Sequence, residues 1–186
     1  MNLFLSNIVL VSLSLWPVTA TQTSVEEVVQ QEITLSPETE IVLDKKEINC
    51  LAVNMYHEAR GESTEGQLAV AFVTLNRMES KSYPDSVCGV VYQGRHKPSW
   101  KDEAILVPIR WRCQFSWYCD GKPDIVRDTD LFNEMVHLSI DVWRGRHEDM
   151  TGGSLFYHAD YVQPSWAKSM VMVTQIDRHM FYRMAN

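Results

Sequence analysis

Three stretches of the chain carry apolar residues at helical spacing. Ile48, Leu51, Ala52, Met55 and Ala59 recur every three or four positions, which predicts a helix that begins near Glu47 and is ended or bent by Gly61. Leu68, Ala71, Phe72, Leu75 and Met78 repeat the pattern, and Thr64 with Gln67 reads as a capping box at the start of this second helix. Glu65 then sits in the first turn, where the helix dipole favours a carboxylate. From Asp128 to Arg146 two stripes run together, Leu131, Met135, Leu138 and Val142 beside Phe132, Val136, Ile140 and Trp143. A helix apolar on two faces is expected to be central, and Gly145 marks its end.

Between and after these helices the pattern weakens. Tyr83-Pro84-Asp85 is a turn, and residues 86–93 suit a short helix. Residues 94–128 read as loop, because Gly94, Pro98, Pro108, Gly121 and Pro123 interrupt every period. That irregular stretch holds Trp100, Trp111, Phe115, Trp117 and Tyr118, which suits a wall for sugar rings or a packed lid. Beyond Thr151-Gly152-Gly153, residues 154–158 and 170–176 are β-prone. The expected fold is therefore α+β and mainly α, with a small antiparallel β element.

The N-terminus stands apart from this domain. Leu3 to Val18 is apolar and uncharged, and Val18-Thr19-Ala20 fits a signal-peptidase site, so residues 1–20 read as an export signal. The run lacks a preceding Lys or Arg and is shorter than the ~20 residues of a spanning helix, so stable membrane insertion after cleavage is not expected. Residues 21–46 are rich in Glu, Gln, Thr, Ser and Val with no aromatic, the composition of a flexible acidic spacer. The domain proper is taken as 47–186.

Composition agrees with export. The four cysteines, Cys50, Cys88, Cys113 and Cys119, are even in number and contain no Cys-x-x-Cys. The short loop from Cys113 to Cys119 closes most easily, which leaves Cys50 with Cys88; four buried thiols are the alternative if the chain is not exported. The net charge of −7 comes without any basic stripe, so nucleic acid is a poor partner. At 186 residues, 45% of them hydrophobic, the chain suffices for one domain with a real core.

Candidate chemistry gathers at His57-Glu58-Ala59-Arg60-Gly61-Glu62. His57-Glu58 opens like H-E-x-x-H, but position 61 is Gly and the zinc motif fails. The histidines are otherwise scattered, so neither a metal nor a cofactor is called for. Glu58 ends an apolar helix, where burial would raise its pKa towards the range of a general acid. Glu62 is a rival across the glycine turn, and for either residue a solvated or capping role is the bland competitor. Arg60 suits either orientation of Glu58 or an ion pair with Glu62 or Glu65. Asn76 and Arg77 are expected to fix packing between elements.

The ordered run HEARGE, EGQLAVAFVTLNR, YPDSVCGVVYQ, CQFSWYCDG, TGGSLFYH and DRHMFYR resembles the SleB-like cell wall hydrolase family over roughly residues 47–186. The resemblance implies a lysozyme- or transglycosylase-like fold, peptidoglycan glycan strands as partner, and Glu58 as the catalytic glutamate of the E-A-R-G-E motif. Gln93, Gln114, Phe115, Ser116 and Tyr157 are candidates for the glycan groove, each set against plain packing. The segment from Cys113 to Cys119 departs from spore-type members and is similar to the Gram-negative and phage branch.

Two-carboxylate glycosidases need a second acid ~5–9.5 Å from the first, and the sequence marks none. A lytic transglycosylase needs one carboxyl, because the muramoyl C6 hydroxyl replaces water and the product is a 1,6-anhydro end. The expectation is thus an exported transglycosylase, working in the periplasm or outside the cell at the wall. The rivals are an N-acetylmuramoyl-L-alanine amidase and a non-enzymatic wall-binding module.

Overall fold

The structure, a computed structural model, describes residues 44–185; the signal and most of the spacer expected from the sequence lie outside these residues. The elements in order are helix α1 (Lys45–Ala59), α2 (Thr64–Glu79) and α3 (Val87–Val91), then strands β1 (Gly94–Pro98) and β2 (Leu106–Cys113). A 3-10 turn (Ser116–Cys119) leads to α4 (Thr129–Trp143). Strand β3 (Phe156–Ala159), a second 3-10 turn (Ser165–Ser169), β4 (Met170–Ile176) and β5 (His179–Met184) follow. The fold is α+β and dominated by helices, as the hydrophobic pattern predicts, with two small antiparallel sheets where one was expected.

Helix α1 is capped by Asp44, whose side chain accepts from the backbone N–H of Lys46 and Glu47. Its whole predicted stripe, Ile48, Leu51, Ala52, Met55 and Ala59, is buried. Against it pack Met135, Val136, Ile140 and Val142 of α4, so the doubly apolar helix belongs to the main core. Helix α3 is tied to α1 twice. A disulfide joins Cys50 to Cys88, with 5.2 Å between their Cα atoms, and the Glu47 carboxylate accepts from the Cys88 N–H at 3.0 Å. The second disulfide joins Cys113 to Cys119.

Helix α2 is buried more fully than one stripe predicts. Leu68, Ala71 and Phe72 face the helical core, while Ala69 and Val73 pack with Phe181 of β5. The helix therefore lies between the helical core and the three-stranded sheet. Its cap is Ser63, not Thr64: the Ser63 hydroxyl accepts from Gly66 N–H, and Gln67 donates to the Glu62 carbonyl instead of closing a capping box. The register moved because Ser63 is itself held by Asp177, which accepts from both its N–H (2.8 Å) and its hydroxyl (2.6 Å).

Two sequence expectations are corrected here. Residues 94–113 are not loop but an antiparallel hairpin, interrupted by a register shift between Gly94 and His96. It packs mainly on itself and on the 3-10 turn that follows, so no buried face imposed the alternation by which a strand is read. The second correction is β5, which has no counterpart among the predicted strands. It is the central strand of the sheet, in the order β3-β5-β4, paired Tyr157 to Phe181 on one side and Ile176 to His179 on the other.

Candidate active site

Glu58 lies in the last turn of α1, where the buried stripe of that helix reaches the edge of the core. Its residue is half-buried, open to a cleft of about 970 Å³. The Tyr157 hydroxyl, from the middle of β3, donates to Glu58 Oε2 at 2.8 Å across 99 positions of sequence. Burial raises the carboxyl pKa above its ordinary value; the Tyr157 hydrogen bond and the positive charge of Arg77 pull it partly back. Burial also holds the Tyr157 phenol well above its usual range, with the Glu58 charge adding to it, so the phenol remains a donor. Among the described residues, Arg77 is the charged group whose field acts on the Glu58 carboxyl.

Arg77 is positioned rather than free. Its Nε donates to the Leu155 carbonyl at 2.8 Å, and its guanidinium covers the rings of Phe115 (5.0 Å) and Tyr83 (5.5 Å). One residue earlier, Asn76 donates to Asp149 Oδ2 at 3.0 Å. Burial works to raise the Asp149 pKa, but hydrogen bonds from Thr151, Asn76 and the Gly153 N–H outweigh it and hold the carboxyl below its ordinary value. Asn76 and Arg77 thus pin the segment that enters β3, and β3 delivers Tyr157.

The other flank of Glu58 is aromatic. His57 stacks on Trp117, with centroids 4.5 Å apart and planes at 20°. Trp117 Nε1 donates to Asn54 Oδ1 (3.0 Å), and Asn54 Nδ2 donates to Thr74 Oγ1 (3.1 Å), a buried chain that joins α1, α2 and the 3-10 turn. Burial lowers the His57 pKa, against the raising influence of Asp124. The Tyr56 hydroxyl accepts from the backbone N–H of Arg127 and Asp128, both at 3.1 Å, and so fixes the entry to α4 beside the cleft.

The sequence-derived groove residues separate in space. Glu58, Ser116 and Tyr157 line the main cleft. The same three, with Arg77, Gln114 and Phe115, also bound a side chamber of about 130 Å³. Phe115 is buried, with its ring against Arg77. Gln93 lies in a third groove, of about 360 Å³, shared with Gln114, Arg95 and Arg112. Trp100 and Trp111 line none of these cavities, so the expected aromatic wall divides: Trp117 supports the site and the other two stand on the hairpin. Arg60 lines the cleft with its guanidinium 5.7 Å over Tyr56, not in the ion pair weighed for it, while Glu62 accepts from the Arg178 N–H.

Sequence reasoning missed His179, which lines the cleft and meets the Tyr157 ring edge-on at 5.1 Å. It missed the stacking role of His57 and the cleft residues Asp120, Asp124 and Arg127 as well. No local spacing links His179, Asp120, Asp124 or Arg127 to Glu58, and the partner of His57 in the stack, Trp117, lies 60 positions away. Among the described residues, no group of three His, Cys, Asp or Glu side chains is placed to hold a metal ion.

The family model described as cell wall hydrolase matches residues 61–182, a match that begins just after Glu58. A spore cortex-lytic enzyme of Oceanobacillus iheyensis is 31% identical over 138 residues, covering 74% of this chain and 41% of that enzyme. The spore cortex-lytic enzyme of Bacillus subtilis is 28% identical over 135 residues, 73% of this chain and 37% of the enzyme. The chain thus spans less than half the length of these relatives. Among solved structures, the catalytic domain of the Bacillus cereus SleB protein is similar with a TM-score of 0.56 at 26% identity, covering 80% of this chain and 98% of that domain. The catalytic domain of the germination-specific lytic transglycosylase SleB from Bacillus anthracis gives 0.54 at 26% identity, covering 78% and 100%.

Proposed function

The chain belongs to the cell wall hydrolase family, and from that premise we propose that it cleaves the glycan strands of peptidoglycan as a lytic transglycosylase. Glu58 is the acid and the base. In its protonated form it donates to the oxygen of the MurNAc–GlcNAc linkage as the C1–O bond breaks. The resulting carboxylate then takes the proton of the muramoyl C6 hydroxyl, whose oxygen closes on C1 to form the 1,6-anhydro ring. The carboxyl ends the cycle protonated, so no water and no second acid enter the balance.

The observation that supports this reading is the pair Glu58–Tyr157 at the cleft, a half-buried glutamate whose carboxyl is held by one phenolic donor and whose pKa burial raises. The phenol orients the carboxyl and steadies its charged form in the second half of the reaction. The intramolecular nucleophile accords with the similar catalytic domain from Bacillus anthracis, described as that of a lytic transglycosylase; Asp120 and Asp124 line the same cleft as Glu58 and are the carboxylates that would hold a water in a muramidase. We further read residues 1–20 as the export signal and 21–46 as a spacer, and place the working enzyme outside the cytoplasm at the wall.

Digestion of purified peptidoglycan, with the fragments weighed, tests the reading. Anhydro-muropeptides are expected. Reducing MurNAc ends would replace it with a muramidase, and released stem peptides with an amidase. Glu58→Gln should lower cleavage by at least ~100-fold while leaving wall binding intact, and an active variant overturns the assignment. Chelation with EDTA is expected to leave digestion unchanged; its loss would bring a metal back into the mechanism.

A further inference from the structure

The β1–β2 hairpin lines no part of the main cleft, yet it holds a group of exposed large apolar side chains. Trp100 is 89% exposed, Leu106 64%, Trp111 61% and Ile105 56%. Trp100 and Ile105 lie in the turn between the strands and Leu106 opens β2, so three of the four gather at one end. The hairpin packs mainly on itself and on the 3-10 turn, and Arg110 ties its base to the body by donating to the Asp120 carbonyl at 2.9 Å.

The hairpin as a whole is cationic. Residues 94–113 contain Arg95, Lys97, Lys101, Arg110 and Arg112 against Asp102 and Glu103, an excess of three cations in a chain of net charge −7. Cations also sit on the exposed aromatics, Lys101 Nζ at 5.2 Å over Trp100 and the Arg110 guanidinium at 5.1 Å over Trp111. At the apolar end Lys97 and Lys101 are matched by Asp102 and Glu103, and the excess of positive charge comes from Arg95, Arg110 and Arg112 behind it towards the base; an exposed apolar end on a cationic hairpin marks an interaction face. A purely anionic polymer would have use for the cations but none for Ile105 and Leu106. A lipid surface uses both, because the aliphatic and indole groups enter the headgroup boundary while Lys and Arg meet anionic headgroups.

We infer that the hairpin Gly94–Cys113 docks the protein peripherally on an anionic phospholipid surface, with Trp100, Ile105 and Leu106 entering the interface and Lys97 and Lys101 beside them. No helix among the described residues is long and apolar enough to cross a membrane, and this contact does not cross one. The inference stands independently of the role given to Glu58.

Co-sedimentation of the full chain with phosphatidylglycerol-containing vesicles, against pure phosphatidylcholine vesicles, tests it. Residues 1–20 can bind lipid by themselves, so the reading is the difference between the wild type and variants that share that segment. W100S/I105S/L106S and, separately, K97E/K101E should each weaken binding to the anionic vesicles by at least ~10-fold. Wild-type binding should fall with added salt, and the triple variant should digest soluble glycan fragments at the wild-type rate. Unchanged vesicle binding by the triple variant overturns the inference, as does equal binding to neutral vesicles. So does a variant that loses binding to insoluble peptidoglycan and keeps its binding to lipid, which would make the hairpin a wall contact. Should a variant fail to fold, the wild-type salt and lipid-charge series decides: binding indifferent to both overturns the inference.

Discussion

At the scale of the residue, the site turns on how burial and two neighbours set the Glu58 carboxyl. Burial raises its folded pKa above the ordinary 4.5. Between those two values the folded protein binds more protons than the unfolded chain, so this group's contribution to stability falls as pH rises through the window. Glu58→Gln removes that dependence. The Tm of the variant relative to wild type is therefore expected to climb as pH rises above the ordinary carboxyl value and to level off past the raised one, measured by thermal melts across the pH range. Tyr157→Phe acts in the opposite sense on titration. It removes a hydrogen bond that favours the charged carboxylate, so the Glu58 pKa rises further. The alkaline limb of the kcat/KM profile should move to higher pH while kcat falls. A profile that stays in place would show that the phenol does not act on the carboxyl.

At the scale of the element, the site depends on how α2 is docked. Asp177, in the two-residue turn between β4 and β5 with a φ of 47°, caps α2 from outside through Ser63. Its pKa is lowered chiefly by the Ser63 hydroxyl, so the cap is strongest with the carboxylate ionised and weakens as pH falls through that lowered value. Asp177→Ala should lower stability by about 1 kcal/mol, read from urea unfolding. Gly66 is required by the same contact. A Cβ there would press on the Asp177 carboxylate and come within 2.8 Å of the Glu62 Cβ. Gly66→Ala is expected to be destabilising by ~1–3 kcal/mol despite the better helix propensity of alanine. Sequence reasoning favours Thr64 as the cap because a capping box is a local pattern. It had no means of finding a cap whose decisive acceptor lies 114 residues away.

At the scale of the whole molecule, the disulfides hold the pieces that surround the cleft. The bond from Cys50 to Cys88 spans 38 residues, and closing that loop in the unfolded chain is worth ~4 kcal/mol in the chain-entropy account. The six-residue span from Cys113 to Cys119 is worth ~2 kcal/mol on the same basis. Reduction should lower the Tm, and Cys50→Ala with Cys88→Ala should account for the larger share of the loss. An equal or larger loss from the Cys113/Cys119 pair would show that the short loop stiffens more than itself. Tyr157 reaches Glu58 only through the assembled sheet, since β3 is placed by β5 and β5 by Phe181 against Ala69 and Val73 of α2.

Helices α1, α2 and α4 could be read from the sequence because each buries residues at 3.6-residue spacing against a core, and that burial is a local, periodic signal. The half-cystine pairing was legible because loop closure depends on separation along the chain, and the polar elbow at Glu58 because it ends the first apolar stripe. The hairpin was not, since a ladder without a buried face leaves no alternation. The central place of β5 was not, since strand order is settled by pairing between distant segments. Above all, nothing in the order of residues brings Tyr157, Arg77 and the His57–Trp117 stack around one carboxyl. Their meeting depends on close packing of elements far apart in the chain, which no local pattern encodes.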